Sequence, residues 1–303
     1  MITKTNATVI LAAAGLAAEV GSARAQSFEA GFSSNATLAA IGSGESDLGS
    51  DDTIQFSRAV IGASTTWTST PQLSFGAEVL LGRTSYEFDT LFLGDQTVDV
   101  DEFSIGLPIS FDVGGGARAF FTPSLTFQGE DSVSFGDGAS FSLLGGVGWQ
   151  VSPNLFIGPG LGIAETLVTD DDPSIFPFLI IDWQFTEEWS ISTGPGFAAS
   201  RGPGLRLSYE PNNNWEFGLE ARLEEFEFQL DDRSPITNGV GRDSSIPVIF
   251  LAQYKPNERV TLSGFAGAAT GGSLELFDQA GTKVFDEDYD TAPLFGLAAS
   301  IAF

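Results

Sequence analysis

From Phe103 to Asp112 the chain reads Phe-Ser-Ile-Gly-Leu-Pro-Ile-Ser-Phe-Asp, apolar at every odd position and, Pro108 aside, small or polar at every even one. A strand points successive side chains to opposite faces, so this segment is a strand with one apolar and one polar face. The same period recurs from Leu73 to Leu81, from Trp189 to Phe197, from Trp215 to Leu223 and from Phe295 to Phe303. No comparable stretch carries helical spacing. A chain written this way folds as a sheet whose two faces meet different surroundings.

The connections come in two kinds that alternate. Tight turns fall at Thr70-Pro71-Gln72, Gly114-Gly115-Gly116, Ser152-Pro153-Asn154, Glu187-Glu188, Pro211 to Asn214 and Pro256-Asn257-Glu258. Longer, mostly acidic loops are expected at Ser43 to Asp52, Glu87 to Asp101, Glu130 to Asp137, Thr169 to Ser174, Ser200 to Pro203, Asp231 to Ser244 and Gly271 to Asp290. Short turns on one side and long loops on the other predict an all-β, antiparallel up-and-down transmembrane barrel of about fourteen strands. Pro108, Pro123, Pro159, Pro177, Pro195 and Pro247 fall inside these strands and remove ladder donors, which leaves twelve strands as the alternative.

Lys4, the Ala-rich apolar stretch Ala7 to Ala18 and the small-x-small Ala23-Arg24-Ala25 read as a secretory signal peptide. The expected division is residues 1–25 as signal and 26–303 as barrel. The chain carries 13 Lys+Arg against 40 Asp+Glu, too few cations for a basic patch, so nucleic acid is not an expected partner. With no Cys and no His it also lacks disulfides, thiol chemistry, His-dependent triads and nearly every zinc site.

All five tryptophans, Trp67, Trp149, Trp183, Trp189 and Trp215, lie near tight turns on the apolar parity of their strands. That places them in an aromatic girdle at one membrane interface. The closing alternation ends on Phe303, expected to be the residue that the barrel-insertion machinery recognises.

The stretch Ser200-Arg201-Gly202-Pro203-Gly204-Leu205-Arg206-Leu207-Ser208-Tyr209-Glu210-Pro211, running into Trp215-Glu216-Phe217-Gly218-Leu219, resembles an uncharacterised family of Gram-negative outer-membrane β-barrels. The ending from Asp288 to Phe303 resembles it too. The family carries a domain-of-unknown-function label, so the resemblance implies fold and outer-membrane location but no functional residues.

Candidate chemistry is sparse. Gly158-Pro159-Gly160-Leu161-Gly162 is followed by more strand rather than a helix N-terminus, so it reads as small inward residues and not as a phosphate loop. Asp170-Asp171-Asp172 and Asp286-Glu287-Asp288 lack the EF-hand order and read as solvated charge. No catalytic residue, metal site or cofactor is expected, and the chain is not read as an enzyme. Strand parity sends Glu78, Asp112, Arg118, Asp182, Arg206, Glu210, Glu216, Glu220, Arg222 and Glu224 to the lumen. Acids outnumber arginines there, so the expectation is a porin-like channel for small solutes that prefers cations, set in the lipid of the outer membrane. The alternative is a sealed structural or surface-binding barrel that acts through its loops as an adhesin or scaffold. A phase change is also expected: odd positions are apolar from Trp215 to Leu223 and even ones from Phe226 to Leu230, which predicts a β-bulge at Glu224-Glu225 or a strand that leaves the membrane there.

Overall fold

The computed structural model describes residues 31–49, 52–70, 72–90, 94–194 and 203–303. The expected signal peptide lies outside these residues, as do most of the expected loop at Ser200 to Pro203 and the tripeptide Leu91-Phe92-Leu93. Fourteen strands close into an antiparallel barrel. They are β1 (Gly31–Ser43, continued by Ser46–Leu48), β2 (Asp52–Thr70), β3 (Leu73–Thr90), β4 (Gly94–Gly106, continued by Ile109–Gly114) and β5 (Ala117–Glu130). After a one-turn helix, Phe135–Gly138, come β6 (Ala139–Ser152), β7 (Leu155–Ala164), β8 (Ser174–Gln184), β9 (Trp189–Gly194) and β10 (Gly204–Asn212). The last four are β11 (Trp215–Arg222, continued by Glu224–Gln229), β12 (Val240–Asn257), β13 (Val260–Phe277) and β14 (Lys283–Tyr289, continued by Ala292–Ala302). Each strand pairs with its neighbours in the chain, and β14 returns to β1 from Ser43↔Leu294 to Asn35↔Ala302, which leaves no edge at that seam.

The prolines sit within this scheme. Pro108 separates the two segments of β4, its carbonyl still accepting from Gly76 N–H at 2.6 Å. Pro123, Pro159, Pro177 and Pro247 lie within paired strands.

Near the short turns the outer face is apolar. Leu81, Ile61, Phe250, Leu219, Leu205, Leu179 and Leu297 all point outward and are more than half or nearly half exposed. Trp67, Trp149, Trp183, Trp189 and Trp215 ring the short-turn end, 37–44% exposed. They are braced by neighbours: Trp67 stacks between Phe32 and Phe75, and Trp215 lies 4.9 Å from Tyr254.

The other end is organised differently. Two of the segments expected as long acidic loops, Glu87 to Asp101 and Gly271 to Asp290, are mostly strand, and those at Ser43 to Asp52 and Asp231 to Ser244 are so in part, whereas Glu130 to Asp137 and Thr169 to Ser174 are connections as expected. β3 runs to Thr90 and β4 starts at Gly94, while β12 begins at Val240 and β13 and β14 continue to Phe277 and from Lys283. In these extensions polar residues face out and apolar ones face in. Leu48, Ile54, Tyr86, Phe88, Val98, Val100, Phe226, Phe228, Leu274, Leu276 and Tyr289 pack into one core, joined by Leu230 and Ile236. The tops of β11 through β14 and β1 through β5 thus form a cap. It is closed where β11 meets β5 by a parallel bridge, Gln229↔Gly129, and by Glu130 accepting from Asp231 N–H at 2.7 Å.

Of the two expectations at Glu224-Glu225, the bulge is not there, and the strand instead continues upward beyond the outward apolar band. β11 keeps one register against β12 from Trp215↔Tyr254 through Glu225↔Ser244 to Gln229↔Val240, and even residues face inward throughout. The irregularities fall on adjoining strands instead. β13 carries an extra residue against Ser245 at Gly271, whose φ of 60° suits glycine. β1 is interrupted at Gly44-Glu45 and β14 at Asp290-Thr291, on the same level. Facing switches by one residue at each: Ala269 and Leu274, Ala39 and Leu48, and Leu294 and Tyr289 are all inward despite opposite parity.

Candidate functional site

Below the cap the lumen has two sides. On the side of β12–β14 and β1–β3 it is filled by Ile249, Leu251, Phe265, Ala269 and Leu294, next to Ala39, Val60 and Leu80. The facing side is mixed: the inward rows of β7 and β8 set Phe156, Phe178, Phe176 and Ile180 against Gly148, Gly160, Gly162 and Gly146, while the inward row of β11 is polar. Glu216, Glu220 and Arg222 alternate inward there, and β10 sets Arg206 directly opposite Glu220. Arg206 Nε donates to Glu220 Oε2 at 2.9 Å, and its Nη1 lies 3.6 Å from Glu216 Oε1. Arg222 Nε donates to Glu220 Oε1 at 2.8 Å, and Lys255 Nζ reaches Glu216 Oε2 at 3.2 Å. The side chains form a ladder of declining exposure: 36% for Lys255, 10% for Glu216 and 2% for Glu220. Water therefore reaches this ladder from the short-turn end and is squeezed out higher up.

The other expected lumen residues occupy three levels. Arg118 is half-buried near the short turns and donates to Ser110 Oγ at 3.1 Å and Ser74 Oγ at 3.3 Å. Asp112 and Glu210 are exposed at that rim, outside the ladder. Glu78 and Asp182 are inward and buried. Glu78 stands opposite Ser64 and Gly106, and its Oε2 has no hydrogen-bond partner. Glu224 shares the β11 row but sits at the base of the cap, in the field of Arg58 and Asp243.

Lys255, Glu102 and Arg58 are charged groups of the interior that strand parity did not flag. Lys255 follows an inward Gln253 on a strand whose lower end had been read as turn. Glu102 borders the acidic segment Glu87 to Asp101, whose charges resemble a loop, yet it lies within β4 and shares the even, inward parity of Ser104 and Gly106. Arg58 meets Glu102 at 2.6 Å, with both side chains nearly inaccessible. They flank β3, and the contact passes over Gly82, where a Cβ would stand 2.9 Å from Glu102 Oε2. No local pattern announces a pair that meets across a third strand.

In the cap, Tyr86 and Tyr289 donate to the two carboxylate oxygens of Asp243 at 3.0 and 2.8 Å. Burial pushes the Asp243 carboxyl up to about 6, against the opposing pull of the two tyrosines. Neither acidic run forms a ligand shell. Asp171 pairs with Arg242 at 3.2 Å and Asp286 with Lys283 at 3.1 Å, and among the described residues no group of acids is placed to hold a metal ion.

Solved structures share the architecture. The COG4313 outer membrane channel from Pseudomonas putida F1 matches over 91% of this chain and 96% of its own, at 8% identity and a TM-score of 0.51. That overlay shows the fold: a closed barrel of the outer-membrane type. The P. putida toluene transporter TodX matches at 8% identity over 90% of this chain and 89% of its own, with a TM-score of 0.44. The translocator domain of autotransporter NalP from Neisseria meningitidis matches at 12% identity over 92% of this chain and 90% of its own, with a TM-score of 0.41. Neither of these two overlays is close enough to carry an argument. No family model matches the sequence, so the finer resemblance to one uncharacterised family gains no support there. No curated relative matches either.

Proposed function

We propose that this chain is an integral outer-membrane barrel that passes small solutes, cations ahead of anions, along the polar side of its lumen. The observation that carries the reading is the graded ladder from Lys255 to Glu220, a polar funnel open at one end. It lies along the stretch where β10 pairs with β11 up to Gly204↔Arg222, beyond which β11 continues to Gln229. The outward apolar band and the tryptophan ring support a membrane setting, and the likeness to an outer-membrane channel points the same way. Lipid of the outer membrane and the barrel-insertion machinery acting on Phe303 are the partners that follow.

The cation preference rests on charge. Within the ladder three cations, Arg206, Arg222 and Lys255, outnumber Glu216 and Glu220, so the negative charge that this reading needs comes from the further acids of the lumen and its rim, Asp182, Asp112 and Glu210. Fixed negative charge concentrates cations within a Debye length of ~8 Å at physiological salt, so the preference weakens as salt rises. Purified protein in a planar bilayer tests both parts. Stepwise conductance with a reversal potential favouring K⁺ over Cl⁻ supports the reading. Anion preference refutes the charge argument.

The near-complete burial of Glu220, Arg222 and Glu102 favours a second reading, a sealed barrel that displays its cap as a binding scaffold. Silence in the bilayer from protein that still shifts on a gel when boiled would select it.

A further inference from the structure

We propose that Glu78, facing Ser124 across Gly106, seats a single monovalent cation in the inner wall of the barrel. The seat belongs to β3, β4 and β5 and is separate from the ladder of β10 and β11. It goes beyond the channel reading, since it needs contact with water and not passage through the barrel.

The pleat builds the seat. One row of the sheet runs Ser64, Glu78, Gly106, Ser124, Ser142 across β2 to β6, and Glu78 is its one charge. Gly106 adds no side chain, so its two neighbours lean over it. The point that a Gly106 Cβ would occupy lies 3.3 Å from Glu78 Oε1 and 3.3 Å from Ser124 Oγ. A carboxylate oxygen and a hydroxyl oxygen thus converge on one opening, which only glycine leaves clear. In the row above, by contrast, Ser104 Oγ and Thr126 Oγ1 already meet each other at 3.1 Å.

An ionised carboxylate taken out of water without a partner is costly, so a nearby positive charge is strongly favoured. Glu78 is 6% exposed, on the inward face of β3, and its Oε2 has no hydrogen-bond partner. The arginines of this wall are engaged elsewhere. Arg118 donates to Ser74, four residues below Glu78 on β3, and Arg58 meets Glu102 over Gly82, four residues above. Four residues of strand span roughly 13 Å, too far for either guanidinium to neutralise the group. One carboxylate balances one positive charge. A divalent ion takes six or more oxygens, usually with several carboxylates among them, and among the described residues no group of three acids is placed for that.

The test reads binding and not conduction. The folded barrel is heated in detergent in KCl or in N-methylglucamine chloride at equal ionic strength, and the midpoint of the heat-dependent gel shift is recorded. Potassium at tenfold its dissociation constant is expected to raise the wild-type midpoint by about 3–5 °C. Glu78→Gln keeps the shape and removes the charge. Gly106→Ala keeps both oxygens and fills the opening. Each is expected to abolish the difference between the salts. Ser124→Ala is expected to raise the half-saturating potassium concentration roughly tenfold. Should Glu78→Gln fail to fold, the other two variants carry the test. Equal wild-type midpoints in the two salts would overturn the site and leave a proton to neutralise Glu78. A difference that persists in Glu78→Gln and Gly106→Ala would also overturn it, as the mark of an adventitious ion only. Neither failure touches the bilayer test of the channel.

Discussion

The lower and upper halves of one strand carry opposite patterns on an unchanged geometry. On β3, Val79 and Leu81 face outward and Glu78 faces inward; further along, Glu87 and Asp89 face outward while Tyr86 and Phe88 are buried inside. β4 repeats the inversion, with Phe103 and Ile105 outside Ser104 below, and Asp99 and Asp101 outside Val98 and Val100 above. β2 does so with Ile61 outside Ser64, then Gln55 outside Ile54. The side chain's direction is fixed by the pleat. Which direction is apolar is fixed by what lies outside, lipid below and water above. One sheet is thus a membrane barrel at one end and a water-soluble barrel with its own core at the other.

If the halves differ in this way, the same truncation must weigh differently in each. Phe228, 1% exposed in the cap, and Phe250, 54% exposed on the outer face of β12, are the pair to compare. Phe228→Ala is expected to cost the cap about 3–5 kcal/mol. Phe250→Ala, whose space lipid refills, is expected to stay within about 1 kcal/mol. Urea titration followed by protease sensitivity of the cap measures both. Equal losses would mean that the upper core is not a core.

A charge placed on the outer face sharpens the boundary. Ile61→Lys and Ser57→Lys lie on the outer face of β2, on either side of the inversion. The first is expected to destabilise by about 2–4 kcal/mol in bilayer, and the second by no more than about 0.5 kcal/mol. Insertion yield and folding equilibrium in lipid vesicles read the difference. Indifference at Ile61 would move the membrane off that level.

The inversion also explains what the sequence concealed. Alternation, turn chemistry and the five tryptophans made the lower barrel legible, since each segment there names its lipid face. From Phe226 to Leu230 the same rule misled. Apolar was read as outward, so a change of chemistry looked like a slip of phase. Val98, Asp99, Val100 and Asp101 alternate as cleanly as any lower strand, yet their charges read as loop. The lumen row of β11 was legible because strand parity alone defines it. Its partner Lys255 was not, because it sits on β12 directly before a tight turn, and the separate Arg58–Glu102 contact depends on the missing side chain of Gly82. The β7–β8 connection gave no sign that it would reach across to Glu227.

The smallest expected effect separates the halves by pH. Asp243 titrates near 6 in the folded cap because burial disfavours its charge, well above its ordinary value of 3.8. The folded state therefore binds this proton more tightly than the unfolded state. Cap stability must fall as pH rises through the window from about 4 to about 6. Between pH 5 and 7 the loss from this group is about 1 kcal/mol. Burial raises Glu225 as well, to about 8, so its contribution has the same sign and extends the window upward. Asp99, held below its ordinary range by Ser85 and then Arg83, acts oppositely, but only below about pH 4. Protease protection of the cap should accordingly be greater at pH 5 than at pH 7, while the heat-dependent gel shift of the whole barrel stays flat across that range. Asp243→Asn should flatten part of the slope. Protection that instead rises toward pH 7 would mean that Asp243 is stabilised as an anion, and that the two tyrosines and Arg58 outweigh its burial.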